Sequence, residues 1–486
     1  MTNDLYLPAG HANQLFRNDG NANFTDISFA SGIEDPLGRR NTSAAIADFD
    51  GDGLLDIYVT SWAMNFDGST GPVDKTNRLL MNGPGMGFRD VTVSAGVGGP
   101  AARDTLVATA FDFDSDGDSD IFAGNVFKDF SCAMCYRDQL YANSGLGDSF
   151  TDLLVDAPLG EFGTTDQAIM GSDVMDVNGD GLPDFVTSDV YDPVNDPFTA
   201  AGASIYLNRG DGTYSPDQSA SLGLDYAVNS WNAKGLDIDN DGNQDLAVTA
   251  ATGADDAMYF MNRGDSFAAP KSFANGVAGR SLQSADLDLD GDDDLLLVSH
   301  AGLPRYYRND SGVGNNSVGI RLRGSGLNNT NAVGAEVSAV SASTFQAKWV
   351  LGQHTAHGNS SRVVNLGIGG DTAADVTVVW PDQTAQTFGP LEAGPVVRYF
   401  IVDQDLGVIP EEVVPTLIRW DPPTSRVKIQ ATSTYNGVYT LRVLGAGGMR
   451  YAPLGSQYEA NAWFPSKPDH VTVVSTSGAE FEFAVP

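Results

Sequence analysis

Short apolar stretches alternate with polar, glycine-rich loops along the first 310 residues of the chain. Two examples are SAAIA at Ser43–Ala47, which has small side chains, and DIYV at Asp56–Val59. Stretches of this length between Gly, Asn and Asp residues predict β-strands rather than helices. Another short apolar strand ends in Asn and recurs as LFRN at Leu15, LLMN at Leu79, LYAN at Leu140, IYLN at Ile205, YFMN at Tyr259 and YYRN at Tyr306.

The loop between the first two strands of each unit has the pattern D-x-[DN]-x-D-G-x-x-D. Its five copies begin 64, 64, 61 and 49 residues apart, and such a period is typical of a repeat architecture. With the following strands, each unit has about four short antiparallel strands, which is one blade of a β-propeller. The five copies, called the first to fifth Asp loops, are Asp48–Asp56, Asp112–Asp120, Asp176–Asp184, Asp237–Asp245 and Asp286–Asp294.

The blade count rests on the Asn-ended strands. Six of these strands, together with one blade from residues 332–390, predict a seven-bladed propeller resembling that of an integrin α-chain. Residues 396–403 are expected to supply the first strand that the first blade lacks. Asp4-Leu5-Tyr6-Leu7 matches the end of a further Asp loop, so we expect its earlier positions, and a signal peptide, to lie before Met1.

The Asp loops are candidate calcium sites. Oxygens from the side chains at positions 1, 3, 5 and 9 and the carbonyl of position 7 can supply the six to eight ligands that Ca²⁺ takes, and Gly at position 6 permits the turn. We expect about five ions. The predicted ligands are Asp48, Asp50, Asp52, Leu54, Asp56, Asp112, Asp114, Asp116, Asp118, Asp120, Asp176, Asn178, Asp180, Leu182, Asp184, Asp237, Asp239, Asp241, Asn243, Asp245, Asp286, Asp288, Asp290, Asp292 and Asp294.

Three other interpretations fit the loops less well. An EF-hand needs Glu at position 12 and flanking helices, but position 12 is Val59, Ala123, Thr187, Val248 and Leu297, and the flanking segments are predicted strands. Magnesium prefers fewer protein ligands and a rigid octahedron. Solvated acidic turns without metal are also conceivable, although four carboxylates within nine residues repel one another unless they are neutralised.

The net charge of −36 comes largely from these loops, because 19 of the 20 side chains at positions 1, 3, 5 and 9 are Asp. The remaining acidity argues against nucleic acid and anionic membranes as partners. The sequence has no apolar run of about 18 residues, so no membrane insertion is expected.

The Asp loops and Asn-ended strands resemble FG-GAP (VCBS) repeats, which occur in integrin α-chains and in many secreted bacterial proteins. This resemblance covers about residues 4–310. Residues 315–403 resemble the ASPIC/UnbV domain through VGIRLRG at Val318, NAVGAEVSAV at Asn331, VVNLGIG at Val363 and VTVVWPDQTAQTF at Val376. FG-GAP repeats followed by this domain are the arrangement of the cartilage acidic protein family and its bacterial homologues. The resemblance implies an extracellular, calcium-binding protein and no catalytic residues.

Three domains are expected. They are residues 1–313 with the propeller repeats, 314–406 as the ASPIC/UnbV segment completing the propeller, and 407–486 as a small β-sandwich-like accessory module.

Cys132 and Cys135 form a C-x-x-C, for which a short disulfide in a loop of a secreted protein is favoured, with a metal or redox site left open. His354 and His357 are separated by two residues, so they are predicted to lie in a surface turn, with a transition-metal site left open. The insertions 62–76 and 126–138 are the preferred candidates for a binding surface, because function concentrates on loops held by a rigid scaffold.

The sequence favours a secreted, periplasmic or cell-surface protein that recognises an unidentified protein or glycan, or mediates adhesion, without being an enzyme. Two alternatives stay open. One is a polysaccharide lyase or hydrolase on a propeller scaffold, and the other is a structural subunit of a surface assembly. The sequence fixes neither the ligand nor the oligomeric state.

Overall fold

The computed structural model describes the chain from residue 4 to residue 484, with gaps. The described ranges are 4–8, 13–20, 23–35, 41–62, 76–99, 104–126, 138–154, 169–189, 202–224, 229–253, 255–288, 290–299, 302–312, 314–353, 358–393, 398–409, 413–421, 426–433, 441–443, 447–448, 450–452, 457–463, 470–475 and 480–484. Cys132, Cys135, His354, His357 and most of the two insertions lie outside these ranges, so their predicted roles stay predictions.

Six small antiparallel sheets follow one another from residue 5 to residue 307. The first two contain β1 (Leu5–Leu7), β2 (Gln14–Gly20) and β3 (Asn23–Asp26), then β4 (Asn41–Ala47), β5 (Asp56–Ser61), β6 (Arg78–Met81) and β7 (Arg89–Asp90). The third and fourth contain β8 (Thr105–Phe111), β9 (Asp120–Asn125), β10 (Gln139–Asn143) and β11 (Phe150–Asp152), then β12 (Ile169–Met175), β13 (Asp184–Asp189) and β14 (Gly202–Tyr206). The fifth and sixth contain β15 (Ser230–Leu236), β16 (Asp245–Ala250), β17 (Ala257–Phe260) and β18 (Lys271–Ala274), then β19 (Gly279–Ala285), β20 (Asp294–Ser299) and β21 (Arg305–Tyr307).

The first strands of consecutive sheets lie side by side. From the second sheet onward, β4 contacts β8, β8 contacts β12, β12 contacts β15, and β15 contacts β19. Small side chains make this approach possible, since a methyl group on Gly171 would lie 2.8 Å from the carbonyl oxygen of Trp231 in the neighbouring sheet. Sheets that meet through their first strands give a propeller-like, all-β arrangement.

Apolar side chains fill the space between neighbouring sheets. Tyr58 and Leu79 of the second sheet pack with Ala108 and Ile121 of the third, and all four are fully buried. The layers between the later sheets are built in the same way. Helices are limited to two single turns in the described part of the chain, α1 (Ser28–Ser31) and α2 (Thr92–Ala95). None of its helices has the length and apolar character needed to cross a membrane.

Residues 314–409, called the covering unit below, form two four-stranded sheets around a core of their own that includes Trp380. One sheet has the order β25 (Val363–Gly369), β22 (Asn316–Arg323), β28 (Arg398–Asp403) and β29 (Gly407–Ile409), and the other β24 (Phe345–Trp349), β23 (Glu336–Val340), β26 (Ala373–Val379) and β27 (Ala385–Glu392).

This arrangement differs from the expected seventh blade. The strand β28 pairs in parallel with β22, whereas the expectation placed it in the first sheet, where β1 pairs with β2. The pairing gives Val402 a fully buried place in the core of the covering unit.

Eight strands between residues 413 and 484 form two more four-stranded sheets. They are β30 (Val413–Asp421), β31 (Arg426–Ser433), β35 (Gln457–Trp463) and β34 (Arg450–Ala452) in one, and β33 (Gly447–Gly448), β32 (Leu441–Val443), β36 (His470–Ser475) and β37 (Glu480–Ala484) in the other.

Candidate metal centres

Each Asp loop joins the first strand of a sheet to the second, with a glycine at its sixth position. The φ angles of these glycines lie between 83° and 99°, in the left-handed region that side chains disfavour. The sequence therefore needs glycine there to turn the backbone. The five residues are Gly53, Gly117, Gly181, Gly242 and Gly291.

The Asp at position 1 organises the turn by accepting two backbone hydrogen bonds. In the first loop the N–H groups of Asp52 and Gly53 donate to the two oxygens of Asp48, at 3.1 and 2.9 Å. The other four loops repeat both bonds. Position 1 is thus held by the loop backbone.

The Asp at position 9 begins the second strand and is buried in all five loops. In the first loop one oxygen of Asp56 accepts the N–H of Phe49 at 2.9 Å, and the other accepts the N–H of Asn82 at 2.7 Å. Asn82 is the Asn that ends the third strand, so this recurrent Asn fixes the ninth-position carboxylate. The equivalent bonds occur in every loop, and the N–H of Asn18 donates in the same way to Asp4 at 2.7 Å.

The Asp at position 3 provides the clearest sign that a cation fits. One carboxylate oxygen of Asp114 and one of Asp239 are buried and lack a hydrogen-bond partner in the described structure. A buried carboxylate oxygen without a donor is costly unless a cation lies beside it. These oxygens point to a ligand position that protein donors do not fill.

Among the residues that the structure describes, four groups of carboxylates have oxygens within 4.8 Å of one another. In the first, second and fourth loops they come from positions 1, 3 and 9, which are three of the five positions in the predicted ligand set. In the fifth loop the group contains Asp290 of position 5 instead of Asp294. The four groups are Asp48 with Asp50 and Asp56, Asp112 with Asp114 and Asp120, Asp237 with Asp239 and Asp245, and Asp286 with Asp288 and Asp290.

Other predicted ligands lie outside these groups. In the first, second and fourth loops, the position-5 side chains accept the N–H of position 7, as Asp52 does from Leu54 at 2.8 Å. The third loop has one carboxylate fewer, because Asn178 occupies its third position. The side-chain amide of Asn178 donates to Asp180 at 2.8 Å. The side chain of Asp292 accepts the N–H of Gly312 and the amide of Asn240. Metal coordination by positions 5 and 7 stays a prediction.

Burial changes the acidity of these carboxyls. It raises the pKa of the ninth-position groups of the first four loops to about 8, against the opposing effect of their two backbone hydrogen bonds. Burial also raises the pKa of Asp48, Asp112 and Asp176 to about 6 and that of Asp237 to about 7. Protons and a divalent cation would therefore compete for the same oxygens.

The covering unit contacts every Asp loop at its sixth position, which the sequence did not reveal. A methyl group on Gly53 would lie 2.9 Å from the carbonyl oxygen of Leu327, and one on Gly117 would lie 2.8 Å from Gln383. The corresponding neighbours in the third and fourth loops are Phe345 for Gly181 and Thr344 for Gly242, while Ser317 donates to the carbonyl of Gly291 at 3.0 Å.

The fourth loop is hydrogen-bonded to the covering unit through a side chain of each. The amide of Gln346 donates to Asp237 at 2.8 Å, and its carbonyl oxygen accepts the N–H of Gly367 at 3.0 Å. The side chain of Lys348 is half-buried and lies in the electrostatic field of Asp293 and Asp237. The fourth loop is thus completed by residues from another part of the chain.

Two tryptophans lie at the strand ends away from the Asp loops, Trp62 just after the second strand β5 and Trp231 near the start of the first strand β15. Trp62 and Trp231 are 7% exposed and pack with Leu106, Val126 and Met170. The guanidinium of Arg280 lies 3.5 Å from the centre of the Trp231 ring. These two tryptophans therefore support the packing where the insertions begin.

Comparison with known proteins gives matches to two families. The family described as FG-GAP-like repeat matches residues 2–59, 176–248 and 237–297, and the family described as ASPIC and UnbV matches residues 324–401. Cartilage acidic protein 1 of Mus musculus is 30% identical over 187 residues, which are 36% of this chain and 25% of that protein. The Homo sapiens protein is 29% identical over 184 residues, with 36% and 24% covered. The chain thus matches about a quarter of the length of these relatives.

Solved structures give weaker likenesses. The V. cholerae biofilm matrix protein Bap1 is 11% identical with a TM-score of 0.24, over 92% of this chain and 73% of that one. The complex of BBS1N with ARL6DN is 10% identical with a TM-score of 0.31, over 71% of this chain and 91% of that one. TM-scores this low do not establish a shared fold with either protein.

Proposed function

We propose that this chain, which belongs to the proteins that combine FG-GAP-like repeats with an ASPIC and UnbV domain, is a calcium-binding recognition module that acts outside the cytoplasm. The domains fit an extracellular, integrin-like recognition role. Calcium binding, secretion and the class of ligand are proposals that go beyond membership of these families.

The observation that carries the calcium proposal is the pair of buried, unpartnered oxygens at position 3 of the second and fourth loops. They lie in clusters that offer carboxylate oxygens and no His or Cys. Oxygen-only ligands favour a hard cation over zinc or copper. A flexible loop with many possible oxygens suits Ca²⁺ better than Mg²⁺, which needs a rigid octahedron and keeps its waters.

Positions 1, 3 and 9 of a loop have different roles in holding such an ion. Position 1 is fixed by the turn and position 9 by the second strand and the Asn-ended strand. In the second and fourth loops, one oxygen of position 3 has no protein donor and is available to the ion. A bound Ca²⁺ would supply two positive charges that offset the repulsion among these carboxylates. The ion would therefore connect the hairpin to the rest of its sheet and stabilise the repeats.

The recognition surface is proposed to lie away from the Asp loops. The covering unit contacts all five loops, so much of that end is in contact with protein. The insertions leave β5 at Ser61 and β9 at Asn125, at the strand ends opposite the Asp loops. A protein or glycan would then bind at the insertion end, on a scaffold whose geometry calcium maintains.

Thermal melting tests the metal part of this proposal. Protein stripped with EDTA and dialysed should melt at a lower temperature than the same protein with millimolar CaCl₂, because an ion that binds only the folded state stabilises it. The expected affinity is of the order of 10⁻⁴–10⁻³ M, as for extracellular modules. Identical melting curves in EDTA and CaCl₂ would refute calcium-dependent stability.

A protein and glycan array tests the recognition part. We expect a ligand that binds with calcium and is lost in EDTA. The matched control is a variant with the insertion 63–75 replaced by a short Gly-Ser linker, which should keep its calcium-dependent melting but lose the ligand. Ligand binding that survives this replacement and the equivalent replacement of 127–137 would contradict the proposed surface.

A further inference from the structure

In the third to sixth sheets, the Asn that ends the third strand makes a second bond, to the Asp loop of the preceding sheet. Besides its own sheet, its side-chain amide reaches the carbonyl oxygen of position 2 in that loop. Asn143 reaches Phe49 at 2.8 Å and Asn262 reaches Val177 at 2.7 Å. Asn208 and Asn309 make the same contact with Phe113 at 3.4 Å and with Ile238 at 2.7 Å.

These bonds join carboxylates of neighbouring loops. The backbone N–H of Asn143 holds Asp120 of the second loop at 2.8 Å, while its side chain holds the carbonyl of Phe49. The N–H of Phe49 in turn holds Asp56 of the first loop at 2.9 Å. One Asn residue therefore links the ninth-position carboxylates of two loops, through its backbone N–H on one side and its side chain on the other. The same connection recurs between each pair of neighbouring loops from the second to the fifth.

We propose that these Asn side chains make neighbouring Asp loops bind calcium cooperatively. An ion in the second loop would fix Asp120 and with it Asn143, and Asn143 would then hold Phe49 and Asp56 ready in the first loop. The second ion would meet a loop that is already ordered, so less conformational freedom is lost when it binds. This inference rests on the proposed calcium binding of the Asp loops.

The size of the effect follows from the bond that carries it. One buried hydrogen bond between uncharged groups changes an equilibrium by about five-fold. Coupling is reciprocal, so each loop of a linked pair should raise the calcium affinity of the other by the same factor. Loops that no Asn connects directly should show a smaller effect.

The chain provides natural reporters, because Leu54 and Leu182 occupy position 7 of the first and third loops. Their ¹³C-labelled methyl signals can be followed by NMR while CaCl₂ is added to the full, EDTA-stripped chain. Asn143→Ala removes the link to the first loop and Asn262→Ala removes the link to the third. Each variant is the matched control for the other.

We expect the calcium midpoint at Leu54 to rise about five-fold in Asn143→Ala and clearly less in Asn262→Ala. At Leu182 we expect the reverse, with the larger rise of the midpoint in Asn262→Ala. Unchanged midpoints in both variants would overturn the inference, and so would equal shifts at both reporters, which indicate general loosening. If neither methyl signal of the wild-type chain responds to calcium, the proposed calcium binding itself fails.

A double-mutant cycle separates coupling from simple support of the fold. Asp114→Ala removes the unpartnered ligand of the second loop. This change should raise the midpoint at Leu54 about five-fold in the wild-type background but not in the Asn143→Ala background. The same rise in both backgrounds would show that Asn143 does not carry the coupling.

Discussion

The first Asp loop has Asp52 exposed and Asp48 half-buried, whereas the fourth loop has Asp237 buried beneath the covering unit. Both loops make the same backbone hydrogen bonds at positions 1 and 9. Only Asp237 also accepts a side-chain hydrogen bond from the covering unit, donated by Gln346. The comparison shows that the nine-residue motif sets the shape of a loop, while distant residues set its solvent access and its charge environment.

The largest expected loss of stability comes from adding a methyl group to Gly367 of the covering unit, where it contacts the fourth loop. In Gly367→Ala the new methyl group would lie 2.1 Å from a carboxylate oxygen of Asp237 and 2.8 Å from the backbone of Asn240. We expect a loss of about 3 kcal/mol, because overpacking against backbone cannot be relieved by a side-chain rotation. Thermal and urea unfolding measure the loss. Gly370→Ala is the control, since nothing lies within 4 Å of that position. Equal stability of the two variants would mean that the covering unit does not press on the fourth loop.

A smaller effect is expected from the hydrogen bonds alone. Gln346→Ala removes one of the two hydrogen bonds to an oxygen of Asp237 and leaves the N–H of Gly367 without its acceptor, and this should destabilise the metal-free protein by about 2 kcal/mol. Gln383→Ala, at the second loop, removes an exposed side chain and should change stability by less than about 0.5 kcal/mol. Urea unfolding of both variants tests this difference between a deeply covered and an open loop. Similar losses of stability in the two variants would contradict this difference between the fourth and the second loop.

The sequence was sufficient to predict the loops because their geometry is local. Position 6 needs glycine, and the bonds of position 1 span only four or five residues. Asp4 could also be recognised from the strand that follows it, and its bond to the N–H of Asn18 is the one made by position 9 elsewhere.

The contacts between distant parts of the chain could not be predicted in this way. Gln346 meets Asp237 across 109 residues, and Asn143 meets Phe49 across 94. The Asn was visible as a recurrent residue, but its role depends on the side-by-side packing of sheets. The seventh blade was expected because residues 332–390 have strand-like patterns, yet such patterns do not specify which strands pair.

The metal-free protein should also show a pH dependence, to which each single carboxyl contributes only a part. Burial raises the pKa of Asp48 to about 6 and that of Asp237 to about 7, above the value of about 3.9 in unfolded chains. Folding therefore takes up protons at these groups, so their contribution to stability is complete below pH 4 and is lost as the pH rises through 6 and 7. Melting temperatures in EDTA should fall between pH 5 and pH 8. Asp48→Asn should reduce this fall mainly up to about pH 6, and Asp237→Asn up to about pH 7. A melting temperature in EDTA that rises over this range would contradict the assigned burial.

The central claim is that the Asp loops of this chain are calcium sites. Native mass spectrometry of the EDTA-stripped chain, with CaCl₂ added back, counts the bound ions directly. We expect about five ions per chain, one for each Asp loop of the sequence, and one fewer in Asp114→Ala because that variant lacks a proposed ligand of the second loop. A chain that takes up no calcium, or an Asp114→Ala variant that keeps the full count, would contradict it.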